Sequence, residues 1–255
     1  MKIESPGFNY DEHGKKYSNY RQTDPRIEKY ISEALGTAKT VLNVGAGAGS
    51  YEPTDRYVVA VEPSSSMRLQ RVKANKVPAV IGTADSLPFD DDSFDAAMAT
   101  LTVHHWPDLE TGLKELRRVT KGQVIIMTYD PDALDVFWNS YYFSELIEVE
   151  RARYPKIGRI TKILGEDADI KEIPIPLDCQ DGFQEAFYGR PEAFLEKEVR
   201  LSQSAWGFLT EELEEELVNR LKDDLHSGKW DEKFGFHREM PFYNGALRLI
   251  ISSNK

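Results

Sequence analysis

The segment Thr40-Val41-Leu42-Asn43-Val44-Gly45-Ala46-Gly47-Ala48-Gly49-Ser50 decides the fold. Its first five residues are mostly β-branched or aliphatic, which predicts a short buried strand. The three glycines at alternate positions predict a loop that a ligand can approach closely, because glycine has no side chain. Strand and loop together predict a ligand site at the carboxyl end of a parallel strand, with backbone N–H groups available for binding.

The glycine loop alone leaves several interpretations open. A dinucleotide site carries the pattern Gly-x-Gly-x-x-Gly, but here the third glycine comes one residue early and Ser50 stands in its expected place. A tight turn without a ligand would also use glycines. Residues further along the chain therefore decide between a ligand site and a simple turn.

The charge balance excludes whole classes of partner. With 32 basic and 43 acidic residues the net charge is −11, and a field of this sign repels phosphate backbones and anionic lipids. We therefore expect neither nucleic acid nor a membrane surface as a partner. Cys179 is the single cysteine, and there is neither a signal-peptide pattern nor an apolar run of about 18 residues, so we expect a cytoplasmic protein. His13, His226 and His237 lack metal-ligand spacing, so no metal is expected.

Apolar runs alternate with helical patterns from residue 24 to residue 130. Asp24-Pro25 predicts a helix start, and the apolar stripe behind it runs to Gly36. Helices are also expected from Ser64 onward and over residues 109–119. Further strands are predicted at 57–61, 79–81, 94–99 and 124–127. This alternation is typical of an α/β fold in which a parallel sheet lies between two helical layers.

Two acidic positions carry a chemical signal. Glu62 ends the second predicted strand, where a carboxylate can accept hydrogen bonds from both ribose hydroxyls of a nucleoside. Asp85 follows the third strand, where it can accept a hydrogen bond from an exocyclic amino group. Each also has a structural explanation, since Glu62 suits a helix start and Asp85 suits a turn.

Six segments between Thr40 and Thr128 together resemble the class I S-adenosylmethionine-dependent methyltransferases, in particular the small-molecule (type 11-like) group. These segments are the glycine loop, Glu62-Pro63-Ser64 with Met67, Ala84-Asp85 with Leu87-Pro88-Phe89, Ser93-Phe94-Asp95, His104-His105-Trp106 and Glu115-Leu116-Arg117-Arg118-Val119. Each segment is weak evidence alone, but their shared order and spacing is strong evidence. The resemblance implies a methyltransferase with S-adenosylmethionine as cofactor and S-adenosylhomocysteine as its product.

The resemblance also implies which residues hold the cofactor. The loop would lie under the methionine part, Glu62 would bind the ribose, and Ala84-Asp85 would meet the adenine. Tyr17 and Arg21 resemble an arm that folds over the cofactor, with Arg21 on the methionine carboxylate. The full set of expected cofactor-binding residues is Tyr17, Arg21, Asn43, Gly45, Ala46, Gly47, Gly49, Glu62, Pro63, Met67, Ala84, Asp85, Ser86 and Thr100.

The fold implied by the resemblance is a Rossmann-like seven-stranded sheet of order 3-2-1-4-5-7-6 with an antiparallel last strand. Residues 246–251 would be that last strand and 170–175 its partner at the edge. This chain departs from the family at Asn43, where an acid is usual two residues before the first glycine. An amide can still orient the loop and the cofactor's ammonium group, but without charge attraction.

Four parts are expected along the chain. Residues 1–23 would form an N-terminal arm or lid, and residues 24–130 the S-adenosylmethionine-binding core. Residues 131–245 are aromatic-rich and largely helical, so they would form a helical cap over the acceptor, including the edge strand near 170–175. Residues 246–255 would return to the core as its final strand.

Methyl transfer from a sulfonium is an in-line displacement, so the protein mainly has to align the acceptor and keep the site dry. A general base is needed only when the acceptor loses a proton. His104 and His105 follow the fourth strand and are the candidate catalytic residues. Either histidine could instead pack under Trp106 or bind a loop carbonyl.

The acceptor is expected to be a small molecule with an oxygen, nitrogen or carbon nucleophile. Amino-methyltransferases of this fold that act on nucleic acid or protein carry an Asn/Asp-Pro-Pro-aromatic motif after strand four, and Thr102-Val103-His104-His105 fills that place here. Two other functions stay open. The chain could bind the cofactor or a partner without catalysis, or it could be a dinucleotide-binding oxidoreductase that uses NAD.

Overall fold

The computed structural model describes residues 20–253 of the chain. Its centre is a seven-stranded sheet of order β3-β2-β1-β4-β5-β9-β6. The strands are β1 (Thr40–Val44), β2 (Tyr57–Val61), β3 (Ala79–Val80), β4 (Ala96–Thr100), β5 (Val124–Tyr129), β6 (Asp169–Glu172) and β9 (Leu247–Ser252), with β7 (Ile175–Pro176) and β8 (Phe242–Tyr243) in a separate pair. Strands β1 to β5 are parallel, and β9 runs antiparallel between β5 and β6. The expected sheet order and the antiparallel strand are therefore confirmed.

Helices cover both faces of the sheet and continue through the second half of the chain. The α-helices are α1 (Pro25–Leu35), α2 (Ser65–Lys73), α3 (Leu109–Arg118), α4 (Asn139–Tyr142), α5 (Ser144–Arg153), α6 (Ile157–Leu164), α7 (Lys197–Leu201), α8 (Glu211–Ser227) and α9 (Lys229–Phe234). Short 3-10 helices lie at Val103–His105, Pro131–Val136, Gln184–Phe187, Pro191–Leu195, Ser204–Phe208 and Gly235–Glu239. None of the helices within residues 20–253 is long and apolar enough to cross a membrane.

Side-chain caps begin the helices where the sequence predicts them. The Asp24 carboxylate accepts a hydrogen bond from the Arg26 N–H, and Pro25 occupies the first turn of α1. The Ser64 hydroxyl accepts from the Met67 N–H at the start of α2. Such caps satisfy N–H groups that have no partner within the helix. Because α2 begins directly after Ser64, Glu62 lies in the short link between the carboxyl end of β2 and this helix.

Several strand limits differ from the prediction. β3 ends before Ile81, and β4 begins after Phe94, which forms only an isolated bridge with Thr120. β5 continues to Tyr129, and the predicted strand at 170–175 divides into β6 and β7. Pro174 lies between these two strands, and proline cannot donate a ladder hydrogen bond. The chain therefore leaves the main sheet at this point and pairs with β8.

Alternating residues of the parallel strands divide the core into two clusters. Ala97 and Ala99 pack with the apolar side of α3 and with α6, whereas Ala96 and Met98 pack with α1. The cluster on the α1 side continues into the aromatic side chains of the second half, including Trp138. The order of the strands reverses between β1 and β4, and open α/β sheets bind ligands at such a switch point.

Candidate active site

A cavity of about 360 Å³ lies at the carboxyl ends of β1, β2 and β4. Pockets that hold small ligands commonly have volumes of roughly 300–1,000 Å³. We call it the cofactor cavity. Its lining residues are Arg21, Gly45, Ala46, Gly47, Ala48, Ser50, Tyr51, Glu62, Pro63, Ser64, Met67, Gly82, Thr83, Ala84, Thr100, Leu101, Thr102, His105, Trp106 and Pro107.

The glycine loop does not offer its first N–H groups to a ligand, which corrects the sequence prediction. The N–H groups of Gly45 and Ala46 both donate to the Val61 carbonyl, at 2.9 and 3.1 Å. The Gly49 N–H donates to the Ala46 carbonyl, and the Gly47 N–H donates to the Glu62 carboxylate at 2.7 Å. These hydrogen bonds fix the conformation of the loop and hold its first residues against the end of β2.

Gly47 keeps the cofactor cavity open. Its φ of +51° is a conformation that residues with side chains rarely adopt, and a Cβ added there would meet no atom within 4 Å. Since Gly47 lines the cavity, a side chain at this position would enter it. Gly49 is different, because a Cβ there would meet Arg71, Lys76 and Glu52 behind the loop.

Glu62 joins the glycine loop to helix α2. Its two carboxylate oxygens accept from the Gly47 N–H at 2.7 Å and the Ser64 N–H at 2.8 Å. The side chain is only 6% exposed, and this burial raises the pKa of the carboxyl group. A carboxylate can accept about four hydrogen bonds. The two hydrogen bonds to the backbone therefore leave capacity for hydroxyl groups of a ligand in the cavity.

The carboxylate beneath the loop comes from Glu52, a residue that sequence reasoning missed. The Asn43 side-chain amide donates to Glu52 Oε1 at 2.9 Å, and Arg71 donates to both Glu52 oxygens at 2.8 and 3.1 Å. All three side chains are buried, and none of them lines the cofactor cavity. Asn43 therefore lies behind the glycine loop and contacts Glu52, not the cofactor cavity.

The other expected cofactor residues divide into two groups. Pro63, Met67, Ala84 and Thr100 line the cavity. Asp85 and Ser86 are exposed and do not line it. The lining residues that were not among the expected cofactor-binding or catalytic residues are Ala48, Ser50, Tyr51, Ser64, Gly82, Thr83, Leu101, Thr102, Trp106 and Pro107. Most are loop residues after strand ends, so only their position next to the strands could have indicated them.

Arg21 lies at the wall of the cavity and is already paired. Its Nε donates to Asp181 Oδ1 at 2.6 Å, and the Tyr51 hydroxyl donates to Asp181 Oδ2 at 2.9 Å. The Asp181 side chain is only 1% exposed, so the guanidinium charge is compensated before any ligand binds. Asp181 lies far from Arg21 in sequence, and no sequence pattern indicates the pair. Tyr17, the other arm residue, lies outside the described residues.

The two candidate histidines face different spaces. His105 lines the cofactor cavity, whereas His104 lines a second cavity of about 30 Å³. Burial is the main cause that lowers the pKa of both, well below the ordinary value for His104 and to about 3 for His105. We call the second space the polar cavity. It is lined by Arg21, Leu101, His104, Tyr129, Glu150, Tyr154, Phe183, Gln184, Gln203 and Ser204.

The residues of the cofactor cavity fit S-adenosylmethionine. A buried carboxylate lies where ribose hydroxyls would bind, and a glycine without a side chain opens the space next to it. Apolar side chains such as Met67 and Ala84 line the remaining wall, which suits a purine ring. Within residues 20–253, His, Cys, Asp and Glu side chains do not come together in a group that could hold a metal ion.

A family model for a methyltransferase domain matches residues 42–128, from β1 to the end of β5. Among curated proteins, the ubiquinone/menaquinone biosynthesis C-methyltransferase of Geobacter sp. (strain M21) is 29% identical over 153 residues. The malonyl-[acyl-carrier protein] O-methyltransferase of Halorhodospira halophila is 28% identical over 126 residues. These matches cover 53% and 45% of this chain, and 63% and 43% of the respective relatives. The chain thus spans about two thirds of one relative and less than half of the other.

A solved structure extends the likeness to nearly the whole chain. It is described as a methyltransferase from an antibiotic biosynthesis pathway of Anabaena variabilis. Its TM-score is 0.85 at 28% identity, and the alignment covers 93% of this chain and 100% of that one. The similarity therefore includes the second half of the chain, which the family model does not reach.

Proposed function

We propose that this chain is a class I S-adenosylmethionine-dependent methyltransferase that transfers a methyl group from S-adenosylmethionine to a small-molecule acceptor, which the methyltransferase-domain match over residues 42–128 supports. The observation that carries this proposal is the cofactor cavity, in which the Glu62 carboxylate and the side-chain-free Gly47 lie side by side. When bound, S-adenosylmethionine supplies an electrophilic methyl group on a positively charged sulfur.

The chain's own residues bind and orient in this proposal. Glu62 accepts hydrogen bonds from the ribose hydroxyls, while Met67 and Ala84 contact the adenine. The half-buried Trp106 lines the cavity and helps to exclude water. The Arg21 guanidinium donates hydrogen bonds to the methionine carboxylate of the cofactor, and Asp181 already balances its charge. Asn43, Gly49 and the buried Glu52–Arg71 pair support the loop from behind.

The acceptor is proposed to enter from the side of residues 131–245. These residues supply most of the polar cavity, which shares Arg21 and Leu101 with the cofactor cavity. The two curated relatives are named as a ubiquinone/menaquinone biosynthesis C-methyltransferase and a malonyl-[acyl-carrier protein] O-methyltransferase. Their acceptors differ in both substrate and nucleophile, so the relatives support methyl transfer without identifying the acceptor of this chain.

Calorimetric binding tests the proposal directly. We expect S-adenosylmethionine and S-adenosylhomocysteine to bind, and NAD not to bind. Glu62→Gln should weaken both sulfur nucleosides at least about tenfold, because a charged acceptor of hydrogen bonds is lost. Asp85→Asn is the matched control, since this exposed acid does not line the cavity, and it should change the affinity less than about twofold.

The same measurement separates the alternative functions. Preferential binding of NAD would favour a dinucleotide-dependent oxidoreductase, and no binding of any of the three would overturn the proposed cofactor. Tight binding of S-adenosylmethionine, with no transfer of its labelled methyl group to any member of an acceptor panel, would favour a protein that binds the cofactor without catalysis.

A further inference from the structure

The polar cavity contains three buried polar atoms without a hydrogen-bond partner in the part of the chain that the structure describes. They are His104 Nδ1, Tyr129 Oη and Gln184 Nε2. Tyr129 is 3% exposed and Gln184 is 5% exposed. A buried polar group without a partner costs about 1–3 kcal/mol. Because the three residues line one space, a further polar group that binds there could supply the missing partners.

The polar cavity adjoins the cofactor cavity. Arg21 and Leu101 line both, and the rings of His104 and His105, which are tilted by 42° with centroids 4.0 Å apart, each line one of the two. A group held in the polar cavity would therefore lie beside the bound cofactor. A water molecule needs roughly 10–15 Å³ of such space, so a volume of about 30 Å³ admits two or three atoms. The space fits one functional group rather than a whole molecule.

The charged side chains around the polar cavity are compensated by partners. Arg21 is paired with Asp181 at 2.6 Å, and Glu150 accepts from Arg153 at 3.4 Å. Arg153 also donates to the Ser204 hydroxyl at 2.9 Å. Burial raises the pKa of Glu150 and lowers that of His104, which favours the neutral form of both groups. The cavity therefore offers no free charge to bind a carboxylate or an ammonium group.

The unpartnered atoms match the hydrogen-bonding capacity of one hydroxyl. A hydroxyl has one donor and two acceptor positions. Tyr129 Oη and Gln184 Nε2 can each donate, and a neutral imidazole can accept at Nδ1. We propose that the polar cavity binds the hydroxyl group of the methyl acceptor, an uncharged phenol, enol or alcohol, and that Tyr129, Gln184 and His104 recognise it. This inference rests on the proposed methyltransferase function.

The aromatic side chains around Tyr129 favour a phenol or an enol within this class. Its ring packs edge to face on Tyr154 at 5.2 Å and on Phe183 at 6.2 Å between centroids. His104 lies 4.1 Å from the Tyr154 ring. Flat aromatic walls of this kind bind planar molecules well. The C–O–H edge of a phenol would therefore lie against these side chains, with its hydroxyl at the three polar atoms and the rest of its ring outside the 30 Å³ space.

The acceptor hydroxyl loses its proton when it takes the methyl group of S-adenosylmethionine, and His104 can receive that proton. The acceptor oxygen forms the new C–O bond as the methyl–sulfur bond breaks, and the electron pair of that bond stays on sulfur. The proton of the hydroxyl passes to His104 Nδ1. A lowered pKa makes His104 a weak base, but the oxygen becomes far more acidic as it gains the methyl group. His104 can therefore accept the proton late in the step.

Paired tyrosine variants test the inference. Tyr129→Phe and Tyr243→Phe each remove one buried hydroxyl that has no partner among the described residues, but only Tyr129 lines the polar cavity. Calorimetry first measures the affinity for S-adenosylhomocysteine. Ligand-observed NMR then measures the affinities of phenol, aniline, benzoate and toluene for the protein loaded with S-adenosylhomocysteine. We expect phenol to bind at least about tenfold more tightly than the other three. Tyr129→Phe and Gln184→Leu should weaken phenol about tenfold, and Tyr243→Phe should leave it unchanged.

The outcomes are distinguishable from failure of the proposed function. If S-adenosylhomocysteine does not bind the wild type, the methyltransferase proposal and this inference fail together. If it binds with equal affinity to wild type and variants, but phenol does not bind or is insensitive to Tyr129→Phe, only this inference is overturned. In that case the three atoms surround a buried structural water. Tighter binding of aniline or benzoate would likewise overturn the hydroxyl assignment.

Discussion

The imidazole rings of His104 and His105 lie 4.0 Å apart between centroids, yet each lines a different cavity. Neighbouring residues thus face the cofactor cavity on one side and the polar cavity on the other. The pair follows β4 as a short 3-10 helix at Val103–His105. The side chains of these two consecutive residues of the 3-10 helix therefore lie in separate spaces beyond the end of β4.

Both histidines should be neutral over the range in which an ordinary histidine titrates. Burial lowers their pKa values, and the cations Arg153 and Arg21 lower them further. We therefore expect kcat/KM for the acceptor, at saturating cofactor, to show no inflection between about pH 5.5 and 7.5 that depends on either histidine. The profiles of His104→Asn and His105→Asn should be parallel to that of the wild type. An acid limb that disappears in one of these variants would contradict this expectation.

Gly47→Ala should weaken cofactor binding at least about tenfold, with a modest loss of stability. The methyl group would enter the cavity, and the positive φ would cost about 1–2 kcal/mol. Gly36→Ala is the matched control, because Gly36 has φ +54°, has open space around a Cβ and lies outside the cavity. We expect similar losses of folding free energy by urea unfolding, but a fall in affinity of at least about tenfold only for Gly47→Ala. Equal affinities in the two variants would show that Gly47 does not face the cofactor.

Asn43→Asp should destabilise the protein, although an acid is usual at this position in the family. The new carboxylate would lie about 2.9 Å from Glu52 Oε1 and would replace the donating amide. We expect a loss of about 1–3 kcal/mol at neutral pH. The loss should shrink toward pH 4, because a protonated carboxyl group can again donate to Glu52. Urea unfolding across this range is the measurement, and a penalty independent of pH would exclude carboxylate repulsion as the cause.

Glu185 should make stability fall as pH rises. Burial raises the pKa of this carboxyl group from 4.5 to about 7, although it accepts hydrogen bonds from the Ala246 N–H. The folded state therefore binds more protons than the unfolded state between these values. The contribution is complete below about pH 4.5 and lost by about pH 7, and at most it amounts to roughly 3 kcal/mol. Glu185→Gln should flatten this part of the stability curve, and an unchanged slope would refute the assignment.

The sequence predicted the parts of the fold that depend on local patterns. The apolar run at Thr40–Val44, the Asp24 cap of α1 and the Ser64 cap of α2 all lie where expected. Each is recognised by residues within one or two turns of chain, so no tertiary information is needed. The family resemblance supplied the rest of the topology, including the antiparallel β9.

The sequence predicted cavity residues only where they follow closely after a predicted strand. Gly45 and Glu62 directly follow β1 and β2, Ala84 lies four residues after β3, and all three line the cavity. The Arg21–Asp181 pair joins residues 160 positions apart, and no local pattern specifies such a contact. The N–H groups of Gly45 and Ala46 were misjudged for the same reason, because their acceptor, the Val61 carbonyl, belongs to β2. The polar cavity likewise depends on how the second half of the chain packs against the end of β5.

The position of β9 has a consequence for the order in which this protein can be completed. A ribosome makes β1 to β5 first, and the outer edge of β5 then exposes unpaired N–H and C=O groups until Leu247–Ser252 is synthesised. β6 has the same dependence, because within the main sheet it pairs only with β9. An open strand edge is a template for pairing with other chains. The nascent chain is therefore prone to aggregate after β1 to β5 have been made, and insertion of β9 next to β5 removes this open edge.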